Sequence, residues 1–278
     1  MRKKGKILFR LFGCAIVLAV ILAALVYDSN HRIVSEEFEL EFEDLPESFD
    51  GFRIVQLSDL HEKVFGEGNA DLISQVSTLE PDIIAITGDI VDRDDQSGYI
   101  SSLVTELSKI APVYYVTGNH EWAVGAREII SVVEEAGGTA LRNEYVVLER
   151  DGEEIAIAGI DDPNGPYDMK TPQELEEEIY EAEGDIFTVL LAHRNNYDLY
   201  SNMDSDVILC GHAHGGVWRL PFVGGLLSSD HTFFPDYTAG VYEGNGNYIV
   251  VSRGLGDGKD IPRFLNNPHI PVIVLKSS

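Results

Sequence analysis

The sequence contains few cysteines and few basic residues. Both shortages limit the kinds of stabilising site and of partner that the protein can have. Its 278 residues contain two cysteines, Cys14 in an apolar run and Cys210 at the end of a predicted strand. A disulfide framework and a thiolate-bound structural zinc are therefore excluded. The chain has 20 Lys and Arg against 47 Asp and Glu, a net charge of −27. Because so acidic a chain is repelled by nucleic acid, we expect no nucleic-acid partner.

The first 27 residues lack acidic side chains altogether and predict a membrane segment. An uncharged and nearly continuous apolar run, Leu11 to Tyr27, follows a basic head of Arg2, Lys3, Lys4, Lys6 and Arg10. As a helix this run rises about 26 Å, just enough to cross a hydrocarbon core of about 30 Å with some local thinning. We predict an uncleaved single-pass anchor in the cell membrane, residues 1–27, with the following domain extracytoplasmic under the positive-inside rule. The alternative is a signal peptide whose cleavage leaves a secreted protein, although no A-x-A site ends the run.

The rest of the chain reads as one domain. Residues 28–34 are predicted to be a linker and residues 35–278 a single domain, whose composition is that of an ordinary globular protein. From Glu37 to Glu43 acidic and apolar residues alternate, which predicts a strand with one face exposed to solvent. No repeat of fixed period interrupts the domain.

The first half of the domain repeats an order of apolar strand, polar loop and amphipathic helix. The strands are predicted at 52–57, 82–87 and 113–117, and the helices at 69–79, 99–110 and 126–136. This order is typical of an α/β sheet built partly from parallel strands. The second half predicts a second sheet, with one acidic helix at 172–183 and strands at 145–149, 154–160, 186–191, 207–210, 248–252 and 271–275.

Polar residues follow five of these strands directly, and together they predict a metal site. They are Asp59, His61, Asp89, Asn119, His120, His193, His212 and His214. Loops at the carboxyl ends of strands converge on the ligand crevice of an open α/β sheet. Taken singly, each residue has an ordinary structural explanation, such as a helix cap, a turn or a buried hydrogen bond. Capping does not, however, require imidazole at these sites or the D-x-H and H-x-H spacings, so the joint pattern favours metal binding.

The number of ligands favours two metal ions. Without His120, the set offers three oxygen and four nitrogen donors, too many for one tetrahedral ion. Because no cysteine is among them, manganese, iron or zinc is expected. Two such ions about 3.5–4 Å apart can clamp the attacking and leaving oxygens of a displacement at phosphorus. The sequence therefore predicts hydrolysis of a phosphate ester or anhydride.

Five blocks in this order resemble those of the calcineurin-like metallophosphoesterases. They are SDLHE, GDIVD, GNHEW, LLAHR and GHAHGG, covering Ser58 to Gly216. The amino-terminal apolar segment, the continuation VWRLPFVGG and the ending YTAGVYEGNGNYIVVSRGLG…PRFLNNP are similar to the membrane-associated bacterial branch with YkuE-type and UDP-diacylglucosamine pyrophosphatase-like enzymes. The resemblance implies a two-sheet α/β sandwich flanked by helices, in four layers.

The resemblance also implies a role for each residue. One metal would be held by Asp59, His61, Asp89 and His214, and the other by Asp89, Asn119, His193 and His212, with Asp89 bridging. His120 would stabilise the transition state or protonate the leaving oxygen. Glu121 either orients His120 or is a helix N-terminal acid. We expect extended backbone at His212 and His214, which would turn both rings to one side and Ala213 away.

Substrate-binding features leave alternatives open. Arg253 and Arg263 would bind a substrate phosphate or form internal salt bridges. Seven apolar side chains after the metal loop would form a lipid-facing rim or pack as core: Trp218, Leu220, Phe222, Leu226, Leu227, Phe233 and Phe234. The expected substrate is a cell-envelope or lipid-linked phosphodiester or pyrophosphate. The alternatives are a soluble phosphomonoester or cyclic nucleotide and, in another class, a non-catalytic metal-binding scaffold.

Overall fold

A computed structural model describes residues 2–92, 97–166, 169–227, 232–257 and 261–278. Within these ranges the α-helices are α1 (Arg2–His31), α2 (Ala70–Thr78), α3 (Ser97–Leu107), α4 (Asn119–Val124), α5 (Ala126–Glu135), α6 (Pro172–Glu183) and α7 (Tyr197–Tyr200). The strands of the first half are β1 (Val34–Phe42), β2 (Arg53–Leu57), β3 (Ile83–Thr87), β4 (Val113–Val116), β5 (Thr139–Ala140), β6 (Glu144–Arg150) and β7 (Glu153–Gly159). Those of the second half are β8 (Thr188–Leu191), β9 (Val207–Cys210), β10 (Arg219–Leu220), β11 (Gly224–Gly225), β12 (Gly240–Glu243), β13 (Tyr248–Val251) and β14 (His269–Ser277).

Two six-stranded sheets and one small hairpin contain these strands. The first sheet has the order β1-β14-β2-β3-β4-β5, and all its neighbours are parallel except β14 and β2. The second has the order β12-β13-β9-β8-β7-β6, with β13, β9, β8 and β7 parallel and an antiparallel strand at each edge. Strands β10 and β11 pair with each other in the hairpin.

The sheets pack face to face and carry helices on their outer faces. Strand β3 shows why, because every residue of the run IIAIT is buried. Ile83 and Ala85 belong to the core between the sheets, with Val189 and Leu209 of the second sheet, whereas Ile84 faces the helices. Helices α2, α3 and α5 cover the first sheet and α6 and α7 the second. A strand covered on both faces is apolar throughout, and the predicted four-layer sandwich is confirmed.

The amino-terminal helix α1 has the length and composition of a membrane span or a signal sequence. The span Phe9–His31 comprises 23 residues, and its most apolar 18-residue stretch has a mean hydropathy of 2.6 and is not buried in the protein. As a helix these residues rise about 35 Å, which is enough to cross a hydrocarbon core of about 30 Å.

The residues predicted as a linker are mostly helical and are attached to the domain. Helix α1 continues to His31, so only Arg32 and Ile33 separate it from β1. Ser29 is buried, and its hydroxyl accepts a hydrogen bond from the backbone N–H of Leu265 at 2.8 Å. Asn30 bonds to both the N–H and the carbonyl of Arg263, at 3.0 and 2.9 Å. The last turn of α1 is thus fixed to a loop of the domain.

Candidate metal centre

All seven predicted ligands lie just beyond the carboxyl ends of strands in the two sheets. Asp59 and His61 follow β2, Asp89 follows β3, Asn119 begins α4 after β4, His193 follows β8, and His212 and His214 follow β9. The buried side chain of Gln56 forms hydrogen bonds to strands of both sheets close to these ligands. The Gln56 amide donates to the Thr87 hydroxyl and to the Cys210 carbonyl, both at 2.9 Å.

Three of these side chains form a first cluster. Asp59, His61 and His214 place ligand atoms within 4.8 Å of one another, and all three residues are buried. Nε2 of His61 lies 3.3 Å from Nε2 of His214, which lies 3.5 Å from Oδ1 of Asp59. Asp59 is held in place by the Ser58 hydroxyl at 2.7 Å and by the N–H of His212 at 3.0 Å.

A second cluster forms around His193. Asp89, His193 and His212 also place ligand atoms within 4.8 Å of one another. Nε2 of His193 lies 3.2 Å from Oδ2 of Asp89, 3.2 Å from Nδ1 of His212 and 3.2 Å from Oδ1 of Asn119. Its Nδ1 donates to the Thr87 carbonyl at 2.9 Å. This bond leaves Nε2 of His193 facing the cluster, as second-shell contacts of metal-binding histidines do.

Asp89 connects the two clusters. Its Oδ2 lies 3.2 Å from Nε2 of His193 in the second cluster and 3.7 Å from Nε2 of His61 in the first. Its Oδ1 accepts the backbone N–H of His120 at 2.9 Å. One oxygen is thus held by the backbone, while the other points between the clusters.

The donor set fits divalent cations, because buried ring nitrogens face one another without enough protons to pair them. Burial lowers the pKa of His61 to about 4, and burial lowers that of His214 well below its usual value. Both rings are neutral at pH 7 and offer lone pairs. Burial opposes a charge on His193, but Asp89 outweighs it and raises the pKa of His193 to about 10. That proton faces Asp89, where a bound cation would replace it.

The backbone at these positions is strained, and this corrects the expectation for GHAHGG. Five of the predicted ligands adopt left-handed conformations, with φ of 50° at Asp59, 43° at His61, 51° at Asp89, 66° at His212 and 48° at His214. Each costs about 1–3 kcal/mol and is typical of functional sites. His212 and His214 are therefore not extended. Their turns send one ring to each cluster, while Ala213 is buried in the core.

Two glycines are required by the close approach of the loops. A Cβ on Gly118 would overlap the carboxylate and the backbone nitrogen of Asp89. A Cβ on Gly211 would overlap the side chains of Ser58 and Asp59. Glycine here lets the loops of different strands touch.

His120 lies beside the clusters and is paired with an acid other than the predicted one. Its Nδ1 is 3.3 Å from Oδ1 of Asp92, and its ring packs edge-on against His61 with centroids 4.6 Å apart. Glu121 is fully buried and accepts backbone N–H groups from Asp89 at 2.9 Å and Gly118 at 2.6 Å. Glu121 therefore acts as a helix N-terminal acid that also binds the loop after β3. The partner of His120 is Asp92, which sequence reasoning missed although it ends the GDIVD block.

Arg194 is a second residue that the sequence did not assign to the site. Its guanidinium contacts Asp162 with Nε at 2.6 Å and Nη2 at 3.2 Å, and the Asp162 side chain is fully buried. Its Nη1 lies 3.1 Å from Nε2 of His212. Arg194 therefore fixes the outer edge of the His212 ring, and its position directly after His193 was the only signal in the sequence.

The two arginines predicted to bind phosphate are paired inside the protein. Arg263 is buried, and its Nε donates to Asp257 Oδ1 at 2.9 Å and to the Gly256 carbonyl at 3.2 Å. Arg253 contacts Oε2 of Glu36 at 3.2 Å. The structure thus has the internal salt bridges that the sequence left open as the alternative.

The apolar stretch after the metal loop is mostly exposed. Leu226 and Leu227 are half-buried, whereas the other five side chains are exposed: Trp218, Leu220, Phe222, Phe233 and Phe234. Packing as core therefore does not explain this stretch.

Comparisons with known proteins agree with this geometry. Residues 52–216 match the family described as calcineurin-like phosphoesterase. The uncharacterized metallophosphoesterase YkuE of Bacillus subtilis is 32% identical over 260 residues, covering 91% of this chain and 88% of YkuE. The phosphodiesterase YaeI of Escherichia coli is 28% identical over 219 residues, covering 74% of this chain and 75% of YaeI.

A solved structure shows the same fold. The 5′-nucleotidase precursor of Thermus thermophilus superposes with a TM-score of 0.52 at 16% identity. The match covers 81% of this chain but only 54% of the nucleotidase. The strand-end clusters, the family match and the relatives together show that the chain belongs to the calcineurin-like phosphoesterase family and is a metal-dependent phosphoesterase.

Proposed function

We propose that the protein is a membrane-anchored hydrolase with two metal ions that cleaves phosphodiester or pyrophosphate bonds of a cell-envelope or lipid-linked substrate. The observation that carries the proposal is the position of Asp89, whose Oδ2 faces His61 at 3.7 Å and His193 at 3.2 Å. One carboxylate oxygen shared by two ligand clusters is suited to two adjacent ions.

The proposed ligand sets follow the two clusters. Asp59, His61, Asp89 and His214 would hold one ion, and Asp89, Asn119, His193 and His212 the other. Manganese, iron or zinc suits these oxygen and imidazole donors. If bound at these residues, such ions would supply Lewis-acid stabilisation of a phosphate group and would lower the pKa of a water ligand.

His120 is proposed as the proton donor. As water attacks phosphorus and the bond to the leaving oxygen breaks, that oxygen takes a proton from the His120 ring. The His120 side chain is 29% exposed, so a substrate can reach it, while Asp92 holds its Nδ1 at 3.3 Å. Asn119 and Asp89 would contribute to the reaction as ligands of these ions.

The anchor supports the choice of substrate. Helix α1 ends on the loop at Arg263 and Leu265, which a further hydrogen bond joins to the metal loop: Asn266 donates to the His214 carbonyl at 2.8 Å. If α1 is retained, the site is held near the membrane surface. Under the positive-inside rule that surface is the extracytoplasmic one.

The test compares two esters with the full-length protein in detergent and manganese. We expect hydrolysis of bis(p-nitrophenyl) phosphate, faster than that of p-nitrophenyl phosphate, and two equivalents of metal. His120→Ala should lower the rate by about 10²–10⁴-fold, whereas His31→Ala, an exposed histidine on α1, should not change it.

Each opposite outcome points to a particular alternative. Faster hydrolysis of the monoester would favour the alternative that the substrate is a soluble phosphomonoester. Two equivalents of metal without turnover of either ester would favour a binding domain. Equal rates for a soluble pyrophosphate diester and one embedded in vesicles through an acyl or isoprenyl chain would contradict the lipid-linked substrate. A mass of the mature chain below that of the full 278 residues would show that the anchor is removed.

A further inference from the structure

Large apolar side chains are exposed together on one part of the domain. We call Trp218, Phe222, Val223, Phe233, Phe234 and Leu265 the apolar patch. The exposed fraction is 109% for Phe222, 74% for Phe233 and 64% for Phe234. Soluble domains seldom expose several large apolar side chains side by side, and such patches mark contact surfaces.

Backbone hydrogen bonds hold the patch together. Phe222 and Val223 form the turn of the hairpin between β10 and β11. The N–H of Leu226 donates to the Trp218 carbonyl at 2.8 Å, and that of Phe234 donates to the Leu226 carbonyl at 3.0 Å. The hairpin and the segment at Phe234 therefore form one surface.

The same surface is joined to the end of the membrane helix through residues 262–265. The Trp218 ring lies edge-on to Phe264, with centroids 6.2 Å apart, and its Nε1–H donates to the Pro262 carbonyl at 3.0 Å. On either side of Phe264, Arg263 and Leu265 are hydrogen-bonded to Asn30 and Ser29 of α1. Leu265 of the patch is thus bonded directly to the last turn of α1.

The charge around the patch differs from that of the rest of the chain. The segments 217–227, 232–235 and 261–269 contain no Asp or Glu, although the whole chain has 47. They do contain Arg219, whereas Arg263 is buried and paired with Asp257. An acidic protein would be repelled by anionic lipid headgroups, but these segments would not be. Trp and Phe side chains also suit the boundary between headgroups and acyl chains.

We propose that the apolar patch inserts into the lipid bilayer that α1 spans. The most apolar 18-residue stretch of α1 is not buried in the protein, so it belongs in the same hydrocarbon layer. Because α1 is hydrogen-bonded to 263–265, its exit from the bilayer brings the patch to the interface. The domain then lies on the membrane instead of hanging from a flexible tether.

This orientation turns one side of the metal centre toward the headgroups. The metal loop ends at Gly216, two residues before Trp218, and the Gly216 carbonyl accepts the N–H of Leu226 at 3.3 Å. A phosphate in the headgroup layer would approach the centre across the patch. Membrane insertion itself does not depend on the proposed chemistry, so the two proposals fail separately.

The test measures the depth of a fluorescent label in vesicles containing the full-length protein. Phe222→Cys is introduced in a Cys14→Ser background, which removes the exposed cysteine of α1 and leaves only the buried Cys210. The new thiol is labelled with a polarity-sensitive dye. The vesicles contain phosphatidylethanolamine and phosphatidylglycerol, with or without a nitroxide on the acyl chains. Tyr180→Cys, at an exposed apolar residue of α6, is the matched control.

We expect the label at residue 222 to shift its emission to the blue and to lose much of its intensity to the nitroxide lipids. The label at residue 180 should show neither change. Phe234→Cys repeats the measurement at a second place in the patch. Emission at 222 and 234 equal to that at 180 would overturn the proposal. A blue shift without quenching would also overturn it, because it would show the patch covered by a second copy of the chain.

Discussion

Nδ1 of His120 lies 3.3 Å from Oδ1 of Asp92, and the same carboxylate oxygen lies 3.8 Å from Nδ1 of His61. The His120 and His61 side chains are 29% and 1% exposed, respectively. Asp92 therefore contacts a proposed proton donor at the edge of the site and a proposed metal ligand inside it. We therefore propose that Asp92 positions His120 for the reaction.

Replacing Asp92 should slow the chemical step. A hydrogen bond to a charged group contributes about 1.5–3 kcal/mol, so Asp92→Asn should lower kcat by about 10- to 100-fold. KM should change little, because Asp92 orients His120 instead of binding substrate. Steady-state kinetics with bis(p-nitrophenyl) phosphate tests this, with Asp185→Asn as a control at an exposed acid. Partial rescue by Asp92→Glu is expected. Loss of bound metal in Asp92→Asn would show that it acts through His61.

Removing the shared carboxylate should affect both clusters. Asp89→Ala takes away the oxygen that faces His61 and His193, so we expect less than one equivalent of bound metal and turnover at the level of the chelated protein. Asp185→Ala, an exposed acid outside the site, should keep both metals. The metal content, measured by mass spectrometry, and the rate of hydrolysis of the diester test this prediction. Retention of full turnover would show that Asp89 bridges nothing.

The main strands and helices could be predicted because buried faces produce a regular pattern of apolar residues in the sequence. Strand β3 is apolar on both faces, and helix α6 begins and ends where the sequence predicted, with the Thr171 side chain accepting the N–H of Glu174. Strands β5, β10 and β11 were missed because two residues carry no periodicity. Strand β12 was missed because none of its four residues is buried, whereas every residue of β8 and β9 is buried.

The partners of side chains in the site and the conformation of its backbone turns could not be predicted from the sequence. The left-handed conformations of His212 and His214 follow from contacts with residues more than 150 positions away, such as His61. Arg253 pairs with Glu36 across 217 positions. Spacing in the sequence indicates which residues gather at a sheet end, but it does not contain the partner of each group.

The attachment of α1 should contribute to the stability of the domain. Asn30→Ala removes two hydrogen bonds to the backbone of Arg263, which together stabilise the fold by about 1–3 kcal/mol. We expect the melting temperature of the full-length protein in detergent to fall by several degrees. His31→Ala, one residue further along the same helix, should leave it unchanged. Equal melting temperatures for Asn30→Ala and the unaltered protein would show that the helix is not fixed to the domain.

The stability of the metal-free protein should depend on pH through Asp206. Burial raises the pKa of Asp206 to about 7, and the Asp44 carboxylate adds to this. Its Oδ2 accepts the N–H of Thr188 at 2.6 Å. The folded state keeps its proton where the unfolded chain, with a pKa near 3.8, has lost it. The contribution to stability is therefore complete below about pH 4 and is lost as the pH rises to about 7.

Asp206→Asn should remove this part of the pH dependence, because a neutral amide cannot ionise and can still accept from Thr188. We expect the urea midpoint, measured with a chelator, to fall from pH 5 to pH 8 by less in the variant than in the unaltered protein. Asp204→Asn, an exposed neighbour, should behave as the unaltered protein does. The same fall in all three would mean that other buried acids, Asp59 and Glu121 among them, carry the effect, because burial raises the pKa of Asp59 to about 6 and that of Glu121 to about 7.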